Sequence, residues 1–212
     1  MTSLCTVLQV KQRMSGDVPN MGTDWDATIA DAIVDASATI EEEVRLVRSQ
    51  PEGWSFVPGS PTTRRYTGAA GGSDLLPIDD AVAVTSVVLL DAAGNASQTL
   101  VAGTDYLPSP INSLPITGLR RVGGEWWPQS YGGVQVGITP GYFPSAAAVA
   151  GDVVSAAIAE TIRLVRAGQA GEDDRLGTAP FGEQTVAKAL LASTWRMVRR
   201  YRLGSALLRG DG

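Results

Sequence analysis

Carboxylates are the side chains of this sequence best able to do chemistry, because it contains no histidine and a single cysteine, Cys5. Histidine is the commonest general base and metal ligand, and one cysteine excludes an intrachain disulfide or a multi-cysteine metal centre. The acids do not converge on one point. Glu41–Glu43 are consecutive, so on a helix they fan over about 200°, while Asp24 and Asp26 suit a helix N-terminus. We expect no metal site.

Two other kinds of catalytic or cofactor site are also poorly supported. The glycine-rich stretch Gly68–Ser73 lacks the Lys-Ser/Thr pair of a nucleotide-binding loop. A serine hydrolase needs a nucleophile elbow and a base, and the sequence offers neither an elbow nor a histidine. The sequence therefore predicts a protein that is not an enzyme and binds no cofactor.

Charge is unevenly distributed along the 212 residues, whose formal net charge is −5. Residues 1–60 carry nine acids and four bases, whereas the residues from Gln184 onward carry six bases and one acid, Asp211. An acidic beginning and a basic end indicate two different neighbours, or the same neighbour met twice around an assembly.

Basic and aromatic residues lie together in Trp195–Leu203. At helical spacing the arginines share one side, and a solvated helix end, where cations complement the helix dipole, is one interpretation. The other is a docking segment, because arginine and aromatic side chains are enriched at interface hot spots. The candidate docking residues are Arg199, Arg200, Tyr201, Arg202, Leu203, Leu207 and Leu208.

Two adjacent tryptophans, Trp126 and Trp127, stand out in a glycine-rich region. Neighbouring residues on a strand point to opposite faces, so one of the two is expected to be exposed in an isolated subunit. Packing in the core and a contact with another subunit or a tail-side protein are both open interpretations.

Apolar periodicity predicts an α+β fold: a core bundle of about four helices with a small antiparallel sheet and long loops inserted in the middle. Thr6 and Thr23 are the expected N-caps of the first two helices. We expect one domain over residues 1–204, followed by a tail over 205–212. The predicted helices are 6–14, 24–48, 145–167 and 183–201, the β-rich insertion is 54–142, and its strands are 62–67, 81–91, 98–101 and 134–138.

No signal peptide and no stretch able to span a membrane are evident.

Five pieces of this sequence, in order, resemble the head–tail connector (adaptor) proteins of long-tailed bacteriophages. They are an opening Leu4-Cys5-Thr6 before a short helix, the acidic helix Asp24 to Val47, Leu76-Pro77-Ile78 before Val82–Val88, Gly103-Thr104-Asp105-Tyr106, and Val134-Gln135-Val136 before Thr139-Pro140-Gly141-Tyr142. Order and spacing carry the resemblance. Two departures are the long insertion Pro108–Pro128 and the loop around Pro19.

The resemblance implies a structural virion protein, made in the host cytoplasm and located in the neck. It implies a ring, commonly of twelve copies, which docks on the portal through its C-terminal segment, meets the next neck or tail-side protein, and lets DNA pass without sequence-specific binding. Loop residues Tyr106, Trp126 and Trp127 become candidates for inter-subunit or tail-side contact. The alternatives are another neck component, such as a head-completion or stopper ring, or a cytosolic DNA-binding regulator that uses its basic C-terminal helix.

Overall fold

The computed structural model describes residues 3–14, 22–169 and 190–202, and the chain divides into two compact units. The helical unit combines Met1–Ser49 with Val149–Gly212, and the sheet unit is Gln50–Ala148. A β-rich segment is thus inserted between helices, and the predicted α+β class is confirmed.

The described part of the helical unit contains helices α1 (Val7–Met14), α2 (Asp26–Arg48), α3 (Gly151–Gln169) and α4 (Ala192–Arg200). Helix α2 packs against the other three, and α3 also packs against α1 and α4. Intervals of three and four between Trp25, Ile29, Ile33, Ala36, Ile40, Val44 and Val47 predict a buried apolar stripe on helix α2. The middle of the stripe is buried as expected, whereas Trp25 and Val47 at its two ends are half-buried. Its fully or almost fully buried members are Ile29, Ile33, Ala36, Ile40 and Val44.

The helix starts follow local hydrogen bonding. Thr6 caps α1 as predicted: its N–H donates to Gln9 Oε1 over 2.8 Å, while the Gln9 N–H donates to Thr6 Oγ1 over 3.2 Å. The prediction of a cap at Thr23 is wrong, because Thr23–Trp25 forms a 3₁₀ turn and α2 begins at Asp26 with no side-chain cap. The third helix likewise begins at Gly151 rather than residue 145, after a 3₁₀ turn at Ala146–Ala148.

The last helix is not continuous from residue 183 as predicted, because α4 begins at Ala192. Leu190 is not helical, and Leu191 is the N-cap of α4 with an extended ψ of 146°. The reason is a side chain from α3: the Leu191 N–H donates to Glu160 Oε1 over 2.6 Å, so it makes no intrahelical bond. The predicted residues 183–189 lie outside the described residues.

The sheet unit contains six antiparallel strands in its described residues, and the predicted antiparallel sheet is confirmed. Strand order is β1-β6-β2-β5-β4, with β3 also paired to β2. The long β2 pairs with β6 along one edge and with β5 and then β3 along the other, and its pairings with all three strands contain irregularities in register. The strands are β1 (Thr62–Tyr66), β2 (Leu75–Leu90), β3 (Ala96–Leu100), β4 (Tyr106–Ser109), β5 (Ile116–Arg121) and β6 (Val134–Pro140).

Strands β4 and β5 were not among the predicted strands. Strand β4 contains Pro108 and pairs only with β5, so it is an edge strand, the place where a sheet tolerates proline. Strand β5 contains Gly118, where a Cβ would lie 3.0 Å from Leu75 Cδ1. Pro108 and Gly118 are unfavourable in most strands, which is why the sequence does not indicate this hairpin. Here the edge position accommodates Pro108, and the close approach of Leu75 favours Gly118.

One apolar cluster forms the core of the sheet unit, with contributions from most of its strands and from the loop before β6. Its members are Leu76, Ile78, Ala81, Val87, Leu100, Tyr106, Leu119, Trp127, Val134, Val136 and Ile138.

Candidate functional site

The predicted docking segment begins in α4, a nine-residue helix with one buried and one exposed side. Thr194, Met197 and Val198 face the interior of the helical unit. Nine residues are too few for a helix to be stable alone in water, so neighbouring groups must hold it. Its position depends on side chains contributed by α2 and α3.

Glu160 holds the start of α4. This carboxylate is only 1% exposed and accepts the Leu191 N–H over 2.6 Å and Arg163 Nε over 2.8 Å. A buried carboxylate is stabilised when charged donors and the positive end of a helix surround it. The sequence analysis did not identify Glu160; the signal available was a charged residue one turn from Ala157 in the apolar stripe of α3.

Tyr201 holds the other end of α4. Its carbonyl accepts a hydrogen bond from Arg48 Nη1 over 2.8 Å, and its hydroxyl donates to Asp152 Oδ1 over 3.3 Å. Arg48 and Tyr201 are 5% and 9% exposed. The cation of Arg48 therefore lies at the negative end of the α4 dipole. Among the predicted docking residues, Tyr201 is a buried anchor of the helical unit, which corrects its assignment as a docking side chain.

The arginines of the segment lie at the surface. Arg199, Arg200 and Arg202 are exposed, as is Arg196 one turn earlier. Within the described residues, Arg200 is the only one of these four arginines that forms an ion pair, with Asp152 over 3.4 Å. The predicted leucines of the segment, Leu203, Leu207 and Leu208, lie outside the described residues. The structure therefore presents a cationic helix surface whose two ends are held by hydrogen bonds of Glu160, Arg48 and Tyr201.

The two adjacent tryptophans have opposite surroundings. Trp127 is 1% exposed, and its Nε1–H lies within hydrogen-bond distance of the carbonyls of Asp74 (2.8 Å) and Leu119 (3.0 Å). Trp126 is 65% exposed, although its ring covers Gly72, where a Cβ would overlap it. The expectation that one of the pair is exposed is correct.

Burial decides which aromatic residues of the sheet unit remain contact candidates. Tyr106 is 5% exposed and belongs with Trp127 to the apolar cluster, so neither side chain is available at the surface of a subunit, and their assignment as contacts is corrected. Trp126 stays a prediction. The fully exposed Tyr131 lies five residues further along the same loop; the sequence analysis did not single it out, because nothing local marks it as exposed.

The carboxylates with conceivable chemistry are dispersed. Glu41 is buried, whereas Glu42 is exposed and bonded to Arg45 over 2.6 and 2.7 Å, which lowers its pKa. Within residues 3–14, 22–169 and 190–202, no three His, Cys, Asp or Glu side chains come together as a metal would require. No helix in those ranges is both long and apolar enough to cross a bilayer.

Another buried carboxylate, Asp80, organises the ends of the sheet unit. It is 1% exposed, and its Oδ2 accepts Trp54 Nε1–H over 3.0 Å, while its backbone N–H donates to Gln50 Oε1 over 3.0 Å. Trp54 also meets Phe56 and Tyr142 edge to face, at ring-centroid distances of 5.0 and 6.3 Å. The aromatic cluster fastens the segment that enters the sheet unit to the segment that leaves it.

Several solved structures share this fold along most of its length. A chain of the neck of an empty gene transfer agent (GTA) particle, computed with C6 symmetry, has a TM-score of 0.55 and 18% identity over 92% of this chain and 88% of that one. A chain of the neck of the native GTA particle, computed with C12 symmetry, gives 0.51 and 19% over 92% and 87%. A chain of the virion of the native particle gives 0.50 and 20% over 91% and 88%.

No protein-family model and no curated protein matches the chain. At identities of 18–20% the likeness establishes the fold alone. The resemblance to connector proteins found in the sequence is confirmed at that level: the chain has the fold of proteins found in the neck of a gene transfer agent particle.

Proposed function

We propose that this protein is a structural, non-enzymatic component of the neck of a phage-like virion, where identical copies form a ring. The observation that carries the proposal is the match of fold over 92% of this chain and 88% of a GTA neck chain. The match covers most of both chains, so it includes residues of the helical unit and of the inserted sheet unit.

Ring formation is supported by the symmetry of those neck structures and by the surface of this subunit. The necks were computed with C6 and C12 symmetry. Trp126 and Tyr131 are 65% and 100% exposed, which is a large aromatic area to leave in water and is typical of a contact surface. Trp126 is our candidate for an inter-subunit or tail-side contact.

Docking on the portal is assigned to the cationic end of the segment. Arg199 and Arg202 are exposed, and neither forms an ion pair within the described residues. In this proposal they and the leucines that follow bind the portal, and the ring continues the DNA channel toward the next neck or tail-side protein. DNA then passes through without sequence-specific recognition, since a channel that must release DNA gains nothing from tight phosphate binding.

The test is to image and weigh the purified protein alone and mixed with a portal ring. We expect closed rings, and rings stacked on portals, in negative-stain images and by native mass measurement. Arg199→Glu/Arg202→Glu should reduce portal binding at least tenfold while leaving subunit folding intact. Arg13→Glu/Arg65→Glu changes the same charge at two other exposed sites and is the matched control. An equal loss of portal binding in both variants would contradict specific docking through the segment.

The same mixtures distinguish the other functions considered. A head-completion or stopper protein would bind a preformed neck ring rather than the portal itself. A DNA-binding regulator is favoured by one observation, the exposed arginines of α4. Specific, tight binding to duplex DNA at physiological salt would therefore replace the neck proposal, whereas weak binding that disappears with added salt agrees with it.

A further inference from the structure

We propose that neighbouring subunits of the ring meet through two faces of the helical unit: the groove between α3 and α4 of one copy and the outward face of α2 of the next. The proposal rests on the proposed function, because it specifies how the ring is made. It names a second copy of this chain as the occupant of the groove.

The groove is open, has a volume of about 650 Å³ and is lined by both helices. Its α3 side consists of small residues, Gly151, Ser155, Ala156 and Ala159. Arg196 and Arg200 of α4 also line it, one helical turn apart and both exposed. Asp152 lies at the Arg200 end and is its partner at 3.4 Å. The groove therefore combines an α3 wall made mostly of small residues with an α4 wall that carries Met197 and two exposed arginines.

The outward face of α2 has the opposite charge. Asp31 and Asp35 are exposed, one turn apart, and neither is part of an ion pair within the described residues. Val34 lies in the same turn, to one side of both carboxylates on the helix surface, and is 43% exposed, the exposed apolar residue in the middle of this helix. An apolar side chain beside two carboxylates is what the groove would accept.

Charge and spacing match between the two faces. Residues four apart on a helix are separated by about 6 Å along the axis, so the Asp31–Asp35 pair and the Arg196–Arg200 pair have the same repeat. Val34 then faces the small residues of the α3 wall. Small residues let helices approach to an interaxial distance of about 8–10 Å. In this arrangement each carboxylate meets one guanidinium.

The two faces are different parts of the surface of the helical unit. Helix α2 packs against both α3 and α4, which also pack against each other. The groove is lined by α3 and α4 residues alone, whereas Asp31, Val34 and Asp35 belong to α2. A contact between two unlike faces of identical copies is head-to-tail, and such contacts close into rings when the rotation permits. This geometry agrees with the cyclic symmetry proposed for the neck.

The test exchanges charges between the faces and measures closed rings, alone or on portals, by native mass measurement. Asp31→Arg/Asp35→Arg and Arg196→Glu/Arg200→Glu should each reduce ring formation at least tenfold. The variant carrying all four changes should restore most of it, because the attraction is rebuilt with its signs exchanged. Arg199→Glu/Arg202→Glu, with the same change of charge outside the groove, should leave rings formed without a portal intact.

The outcomes separate this contact from the proposed function. If the unmodified protein forms no rings with or without a portal, the ring function itself is wrong. If it forms rings that neither exchange disturbs, or if the four-change variant does not recover, only the contact is wrong. Arg200 faces Asp152, so its exchange can loosen α4; the aspartate exchange on α2 does not touch α4, and its lack of effect would by itself overturn the proposal.

Discussion

The two units of the molecule use their buried charged groups differently. The sheet unit has a continuous apolar core, in which Leu76, Leu119 and Val136 are completely buried, and its buried carboxylate Asp80 lies where the chain enters and leaves the unit. In the described helical unit, Glu160 and Arg48, at 1% and 5% exposure, hold the two ends of the short helix α4. Apolar burial is non-directional, whereas a hydrogen-bonded charge fixes one position. The difference explains how a helix as short as α4 can present an arginine surface at a defined place.

The largest effect we expect comes from removing the central tryptophan of the sheet unit. Trp127→Ala deletes a fully buried side chain and leaves the Asp74 and Leu119 carbonyls without their indole donor. Loss of a buried tryptophan destabilises by about 4 kcal/mol. Chemical denaturation measures the free energy of unfolding, and hydrogen exchange should show lost protection first in peptides of residues 50–148.

The neighbouring tryptophan is the matched control for this change. Trp126→Ala removes the same side chain from a site that is 65% exposed, and we expect it to change stability by about 0.5 kcal/mol or less. Equal destabilisation by the two substitutions would contradict the view that only Trp127 belongs to the core.

The next largest effect concerns the buried carboxylate of the helical unit. Glu160→Ala removes the acceptor of the Leu191 N–H and the partner of Arg163. We expect a loss of about 2 kcal/mol, with hydrogen exchange increased in α4 before the sheet unit. Glu42→Ala, at an exposed carboxylate of α2, is the control and should be close to neutral. Unchanged exchange in α4 would mean that Glu160 does not anchor this helix.

A smaller effect is expected at the other end of α4. Arg48→Met keeps most of the apolar stem and removes the donor to the Tyr201 carbonyl. The expected loss is about 1.5 kcal/mol, as for a hydrogen bond to a charged group. Thermal unfolding monitored by circular dichroism measures it, and Arg13→Met, at an exposed site on α1, should leave the transition unchanged.

The two kinds of stabilisation also differ in how well they can be predicted from sequence. The stripe of α2 is a local pattern repeated over 23 residues, and its buried residues follow from spacing alone. Alternation shows that one of Trp126 and Trp127 is exposed, but not which, because the buried indole is bonded to the carbonyls of Leu119 and Asp74, which are 8 and 53 positions away. Arg48 and Tyr201 are 153 positions apart. No local sequence pattern predicts such a pair, and none predicts that Tyr131 is exposed.

The smallest effect tests a polar cluster at the margin of the sheet unit. The Tyr66 hydroxyl donates to Asp79 Oδ2 over 2.8 Å, and Arg64 Nη1 pairs with the same oxygen over 2.7 Å. Burial raises the pKa of Tyr66 above its ordinary value of 10, and the negative charge of Asp79 raises it further. At neutral pH, Tyr66→Phe removes this hydrogen bond and the longer one, of 3.4 Å, that the hydroxyl accepts from the Asp79 N–H, and we expect a loss of about 1 kcal/mol.

The dependence on pH gives this last substitution a readout of its own. A tyrosine whose pKa is higher in the folded than in the unfolded protein stabilises the fold fully below the unfolded pKa of 10. That contribution is lost as the pH rises above 10, because the unfolded chain then releases a proton that the folded protein retains. Tyr66→Phe should therefore lose less stability than the unmodified protein across that interval. Burial also raises the pKa of Tyr106, but this residue is present in both proteins and contributes equally to both curves. Parallel curves would show that Tyr66 ionises as freely in the folded sheet as in water, and the contrast between an apolar core and its polar margin would not extend to this cluster.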